Sequence, residues 1–589
     1  MTARLRPLLV LLLLCAAAWT FREVPGFGSL PLADDDTNIF FNPHLSAPGA
    51  SSLRWMFTNL DYVHRYMPLG WLGFSVAYVF TGLDPSGYHV ANVLLHALDA
   101  WLLFLLVARL LQRFLPGEPE SDRLLAAAAA ALLWVVHPLR DECVATCSGM
   151  LYSQALFFAL LAVHARLSEV EARVRGSAHA GWLVLGFLGY AASVLTYPVA
   201  LFLPPAVLIL DLAWAGRGRL RGLLPGFLSW GAVAAASIAL NIEARYTVRA
   251  FLQPVPLRDF GVLPRLLQAS FVCAVYVWKT VRPSCVLRMA DTMVFDVDPA
   301  QPLWWLCVGL VLGMSLLAWA LRRRAPYFGL AWLAYVILLV PNLGFMEHPH
   351  TAADRYSYLS GCAFSVILAF ALLRLRPAAR PTAWAVCLAC AAACAPLALR
   401  QARVWRDAPS YFSAVLTGTR LDYVRHITVS RQALLQFSGG DVRGGRVRAW
   451  EELQRAPDVA GVGLTWKQMA PPSPLPPEVA ARTLEEWPAA PWSVLHLQLA
   501  LQQMKEGRID DALAHLDASL ALSPDYADAR FTRGALLADL GRMEAAHDWL
   551  ELRADTRPGD RGRNAFLASK VAALYRAEGR APPRALAAP

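Results

Sequence analysis

About eleven apolar stretches dominate the first 400 residues, at roughly 5–21, 88–108, 124–139, 149–167, 181–196, 198–214, 223–241, 303–321, 328–345, 357–373 and 382–399. Each approaches or exceeds the length needed to cross the ~30 Å hydrocarbon core of a bilayer. Lipid offers the backbone no hydrogen-bond partners, so runs of this kind read as helices. The chain is therefore expected to be all-α, built first as a polytopic transmembrane helical bundle. Composition agrees, with 57% hydrophobic and 17% charged residues against about 45–50% and about 25% in soluble proteins. Two more apolar segments, 68–82 and 265–281, would break the alternation of sides if they crossed, and are expected as interfacial or re-entrant helices.

Charge supports this layout. The net charge is +10, yet the basic residues fall in clusters between apolar runs: Arg4 and Arg6; Arg109, Arg113 and Arg123; Arg173 and Arg175; Arg217, Arg219 and Arg221; Arg322 to Arg324; Arg374, Arg376 and Arg380. Every second loop is Arg-rich, while the intervening short loops hold little beyond Arg140 and Arg355. This pattern is a topology signal rather than the one-sided basic face of a nucleic-acid binder. It predicts a cytoplasmic amino terminus and a carboxy-terminal domain on the periplasmic side, or in the lumen of a eukaryotic compartment. Lysine occurs only at Lys279, Lys467, Lys505 and Lys570, an arginine bias that points to a GC-rich bacterial genome and hence an inner membrane. The basic start, apolar core and Ala16–Ala18 of the first segment also fit a secretory signal. Its retention is expected, because cleavage would detach the acidic loop that follows.

Ten cysteines in so long a chain do not make a disulfide framework. Cys387 and Cys390 have CxxC spacing but lie beside Cys394 in an apolar run, where cysteine serves as a small filler. His89, Asn92 and His96 share one helix face and are expected to hydrogen-bond or pack. No metal site is expected, the cofactor is left open, and no phosphate-loop, zinc-protease or serine-elbow motif occurs.

Past Arg400 the apolar runs end. Gly507, Ala512 and Pro524 recur 34 residues on as Gly541, Ala546 and Pro558 (541 − 507 = 34), the tetratricopeptide period, so an α-solenoid is expected. Ala500 and Gly534 should let paired helices approach, and Leu516 and Leu550 should fill the groove between neighbours. A degenerate unit is expected from about 426 to Pro457 and a closing helix over 561–579. Pro471, Pro472, Pro474, Pro476 and Pro477 make 458–491 a linker or irregular insertion. The expected domains are thus 1–400 in the membrane, with external loops at 22–67 and 242–302, then 401–491 as a degenerate helical or linker region, then 492–580 as repeats. Such repeats form a concave surface for extended peptides, so protein partners are expected alongside the lipid bilayer.

The chemistry is expected where Asp34, Asp35 and Asp36 follow the first apolar segment and lead into Asn38, Asn42, Pro43, Arg54, Trp55 and Asn59. Ionisable groups at a membrane boundary tend to be functional, and a carboxylate there can act as general base on a hydroxyl acceptor.

In order along the chain, DDDTNIFFNPHL at 34–45, LRWMFTN at 53–59, MPLGWLGFSVAYVFTGLDPSGYHVANVLLHAL at 67–98, HPLRDECVA at 137–145 and ADRYSYL at 353–359 resemble the TMTC proteins. These are transmembrane and tetratricopeptide-containing protein O-mannosyltransferases of the C-type glycosyltransferase superfamily, and the chain is similar to a bacterial relative of them. The resemblance implies transfer of a mannose-like sugar from a polyprenyl-phosphate carrier to protein Ser or Thr hydroxyls on the external face. It places the family's acidic pair on Asp34 and Asp35, the leading Asp being the base. It implies that Arg355 neutralises the carrier phosphate, a role that suits a guanidinium. His137 and Glu142, and Glu347, His348 and His350 in the loop of Arg355, are the candidate substrate contacts. The chain departs from the family's pattern at Met150–Tyr152, where Gly-Arg and a nearby Asp are usual, and at Tyr197–Pro198, where Lys is often found. Two other classes account for part of the pattern: a non-catalytic membrane-anchored repeat scaffold, and a transporter or flippase for a lipid-linked sugar.

Overall fold

A computed structural model describes residues 2–30, 34–40, 42, 44–45, 48–60, 62–215, 220–247, 255–258, 260–283, 293–294, 297–347, 350–419, 422–438, 441–456, 462, 493–522, 526–554 and 561–583. These residues are helical almost throughout; the exception is a two-residue antiparallel pair, Met293 opposite Thr351 and Val294 opposite His350. The chain divides into two compact units, Met1–Gly418 and Thr419–Pro589.

In the first unit one helix coincides with each of the eleven apolar stretches: Thr2–Thr20, Pro85–Phe114, Glu120–Val135, Met150–Arg175, Ala180–Thr196, Leu203–Ala215, Leu220–Thr247, Pro302–Ala320, Pro326–Leu339, Cys362–Arg374 and Arg380–Ala402. Among the described residues six helices are long and apolar enough to cross a membrane, or eight if each of two bent pairs is one span. The remaining difference from eleven is one of length, since Ala180–Thr196, Leu203–Ala215 and Pro326–Asn342 are apolar but shorter. The first bend, 62° between Glu120–Val135 and Pro138–Ala145, falls where a proline interrupts the helical ladder. The second, 51°, separates Asp354–Ser360 from Cys362–Arg374. Pro68–Thr81 is about 21 Å long, too short to cross. Val262–Val281 is longer, but it buries Arg265, Gln268 and Lys279.

Arginines tie helix ends together: Arg113 donates to the Trp214 carbonyl at 2.6 Å, and Arg380 reaches Glu118 and Asp122, each at 2.7 Å. The polar face of Pro85–Phe114 packs against neighbouring helices and hydrogen-bonds to them. Asn92 donates to the Thr146 carbonyl at 2.6 Å, and His96 bridges the Tyr358 hydroxyl and the Val135 carbonyl, both at 2.8 Å.

The second unit is a series of helical hairpins. Asp422–Ser438 pairs with Val442–Arg455, Ser493–Lys505 with Ile509–Leu522, Ala527–Asp539 with Ala545–Ala554, and Arg561–Ala577 closes the array. Gly507 and Gly541 make the hairpin turns with φ of 75° and 73°, in the left-handed region open to glycine. Ala500 is fully buried, and a Cβ at Gly534 would stand 2.9 Å from Leu567 and 3.0 Å from the Asp548 Cβ, so both small residues do allow close approach. Leu516 is buried as expected, but Leu550 is 53% exposed; Trp549 and Leu552, on the adjoining face, fill the inner groove instead. Arg217, Arg219, Pro43, Pro524, Pro558 and the five prolines of the linker lie outside the described residues.

Candidate active site

The segment after the first helix is pinned before it reaches the three aspartates. The Gly28 amide donates to the Arg406 carbonyl at 2.9 Å, and the Gly28 carbonyl lies 3.2 Å from Nε2 of His89. Asp35, 1% exposed, then accepts two backbone N–H groups: Leu30 at 3.1 Å on Oδ2 and Ser148 at 2.8 Å on Oδ1. Ser148 sits in a turn that requires Gly149, because a Cβ there would lie 2.2 Å from the Cys143 carbonyl oxygen. From the other side the Tyr62 hydroxyl donates to the Thr37 carbonyl at 2.7 Å. The geometry thus divides the acidic pair: Asp35 is consumed in holding the loop, while Asp34 is 58% exposed, with Oδ2 3.4 Å from Nη2 of Arg355. Asp36 is buried.

Arg355 is carried by the turn before the second bend. The Tyr276 hydroxyl donates to the Ala353 carbonyl at 2.5 Å, Lys279 pairs with Asp354, and the buried Arg140 donates to the carbonyls of Ser357 at 3.0 Å and Tyr358 at 3.2 Å. Glu142, 2% exposed, accepts from Arg355 twice, once from its guanidinium and once from its backbone N–H at 2.9 Å. Arg355 therefore has one nitrogen committed to Glu142 and another turned towards Asp34, a fork geometry particular to arginine.

A second guanidinium joins them. Gln154 donates to the Leu69 carbonyl at 3.0 Å and to the Thr196 hydroxyl at 3.3 Å. A Cβ at Gly70 would stand 2.6 Å from Leu151 and 2.7 Å from the Thr196 carbonyl oxygen, so the start of Pro68–Thr81 seats tightly between the helices Met150–Arg175 and Ala180–Thr196. This seating lays Arg65 over the Tyr197 ring at 5.4 Å. Among the described residues Arg65 forms no ion pair, and of its neighbours there the charge of Asp34 favours its guanidinium. The Tyr152 ring lies 4.8 Å from Tyr197 and 6.3 Å from Tyr356. Tyr152 and Tyr197, at the two places where a departure from the family's pattern is expected, are thus neighbours inside the site.

The other candidate residues divide further. His137 has both ring nitrogens engaged, Nδ1 accepting from the Leu139 N–H at 3.2 Å and Nε2 lying 3.2 Å from the Thr280 carbonyl. Glu347 pairs with Arg245 and stands 3.4 Å from Nδ1 of His350; the His350 contact, then Arg245, hold its carboxyl down to about 2. His350 is buried, with Nε2 3.0 Å from the Asn342 carbonyl and its ring stacked 6.1 Å from Tyr356. These two border the site through Tyr356. His348 lies outside the described residues. Among the described residues no three His, Cys, Asp or Glu side chains converge to hold a metal ion. Sequence reasoning passed over Arg65, whose signal was an arginine on the Arg-poor side directly before a proline-led helix.

Comparison with known proteins agrees with the motif resemblance. Residues 503–568 match the tetratricopeptide repeat family model. The chain is 39% identical over 122 residues to Protein O-mannosyl-transferase Tmtc1 of Drosophila melanogaster, covering 21% of this chain and 12% of that protein. It is 25% identical over 349 residues to Protein O-mannosyl-transferase TMTC4 of Homo sapiens, 52% of this chain and 46% of that one. With TMTC4 of Mus musculus the identity is 24% over 412 residues, 62% and 55% of the two chains. The chain spans about half the length of these TMTC4 relatives and a smaller part of Tmtc1. No solved structure matches it. The chain is similar to protein O-mannosyl-transferases of the TMTC type: a helical membrane protein with tetratricopeptide repeats.

Proposed function

We propose that the chain transfers a sugar from a polyprenyl-phosphate carrier to Ser or Thr hydroxyls of proteins on the external face of a bacterial inner membrane. The amino terminus is then cytoplasmic and the repeat unit periplasmic, where it offers acceptor proteins a concave surface. The observation that carries this reading is one exposed carboxylate, Asp34, 3.4 Å from the guanidinium of Arg355, with a second guanidinium, Arg65, laid over the nearby Tyr197 ring and forming no ion pair among the described residues.

In this mechanism Asp34 takes the proton of the acceptor hydroxyl as its oxygen attacks the anomeric carbon from the face opposite the phosphate. The new C–O bond forms while the carbon–phosphate-oxygen bond breaks, and the electron pair leaves with the phosphate. Charge grows on that leaving group in the transition state, where Arg355 and Arg65 stabilise it. Glu142 aims Arg355, and Asp35 aims Asp34 by fixing the loop; neither carboxylate is spare for the substrate. Likewise we assign His137 to positioning the first bend, and Glu347 and His350 to the edge of the site through Tyr356. The transferase occupies Met1–Gly418 and the acceptor-binding repeats lie within Thr419–Pro589.

The test is transfer of labelled sugar from polyprenyl-phosphate mannose to protein in membranes with and without the chain. Label appearing in protein only with the chain is the expected result. Its absence across mannose, glucose and other carrier-linked sugars, with the protein folded, leaves the scaffold reading in its place.

A further inference from the structure

The carrier reading gives the two guanidiniums work but leaves the phenols between them unexplained. Tyr152 and Tyr197 are 5% and 6% exposed, yet among the described residues neither hydroxyl has a hydrogen-bond partner, and neither is sealed from solvent. Two adjacent hydroxyls that no described protein group claims and that reach solvent on one site are available to bond a ligand. Their rings, 4.8 Å apart and inclined by 52°, form an angled apolar wall. Arg65 lies over the Tyr197 ring at 5.4 Å, and Arg355 lies 5.4 Å from the ring of Tyr356, the other neighbour of Tyr152.

We propose that Tyr152 and Tyr197 form the seat of the donor's sugar ring, an inference that rests on the carrier reading of the same site. A ligand whose phosphate is held by both guanidiniums, and whose anomeric carbon faces the acceptor activated by Asp34, lays its ring beside Arg65, where Tyr197 lies under the guanidinium and Tyr152 adjoins it. A phenol both donates and accepts a hydrogen bond, which matches sugar hydroxyls; a phosphate oxygen only accepts and is better served by arginine. Aromatic faces add contact for the C–H side of a pyranose ring. The two tyrosines thus set the sugar selectivity of the site.

The test is binding to the full chain in nanodiscs of two ligands, a polyprenyl-phosphate hexose and bare polyprenyl phosphate. Wild type should bind the glycosylated carrier more tightly than the bare one. Tyr152→Phe and Tyr197→Phe keep each ring and remove one hydroxyl. Each should weaken the glycosylated carrier by about 2- to 10-fold, the range of one neutral hydrogen bond. Binding of bare polyprenyl phosphate should stay unchanged, which also shows that the variants are folded. Equal weakening of both ligands would put the hydroxyls on the phosphate and overturn the inference, as would no change in either. If wild type binds neither ligand, the carrier reading falls and this inference falls with it.

Discussion

Replacing Asp35 by Asn separates the two acidic residues by mechanism. The Asp35 carboxylate is 1% exposed and spends one oxygen on the Leu30 N–H at 3.1 Å and the other on the Ser148 N–H at 2.8 Å. An asparagine keeps one carbonyl oxygen and turns its amide N–H groups towards a second donor. One charge-assisted hydrogen bond, about 1.5–3 kcal/mol, is lost outright, and a buried donor is left unsatisfied. A cost of about 2–4 kcal/mol follows, read as a melting temperature several degrees lower in a detergent-solubilised thermal shift. Asp34→Asn touches only a 58% exposed carboxylate with a long 3.4 Å contact to Arg355, a pair worth about 0–1 kcal/mol, and should melt like wild type. The reasoning is refuted if Asp35→Asn leaves the melting temperature unchanged while Asp34→Asn lowers it.

Glu142→Gln should lower both stability and transfer, because the buried carboxylate accepts from the backbone and guanidinium of Arg355 together; wild-type melting would contradict its positioning role. In the repeat unit His496 and His515 share a 2.7 Å Nδ1 contact, and burial lowers both pKa values below 6.5. The neutral pair's stabilisation is therefore in place above that pH and lost as pH falls through it. A fragment from Asp422 to Pro589 should melt lower at pH 5.5 than at pH 7.5, with the slope reduced in His515→Leu; an unchanged slope counts against the pair as its cause. Alkaline phosphatase fused after Pro589 should be active in a bacterial host and inactive when inserted at Arg323, and the reverse pattern would invert the proposed topology.

How much of this was legible depended on whether the cause was local. The eleven helices that coincide with apolar stretches in the first unit follow from those long runs, and Gly507 and Gly541 announce their turns by period alone. Leu550 was misplaced because the period aligns repeats without saying which of Trp549, Leu550 and Leu552 faces inward; that is set by how the hairpins rotate against each other. The acidic run could not be divided from sequence, since Asp35 is claimed by Ser148, 113 residues away. Arg65 reaches Tyr197 only because Gly70 and Gln154 seat Pro68–Thr81 between Met150–Arg175 and Ala180–Thr196. Tyr152 and Tyr197 stood out as departures from a pattern, and their proximity needed the fold.

The central claim is that Asp34 is the base of a sugar transfer. The direct measurement is the initial rate of sugar transfer from a labelled polyprenyl-phosphate donor by wild type and Asp34→Asn at equal protein levels, with donor binding measured on the same samples. A general base typically contributes about 10²- to 10⁴-fold. The account predicts a loss of that size with donor binding nearly intact. Equal rates in the two proteins would contradict it and reduce the acidic run to a solvated loop.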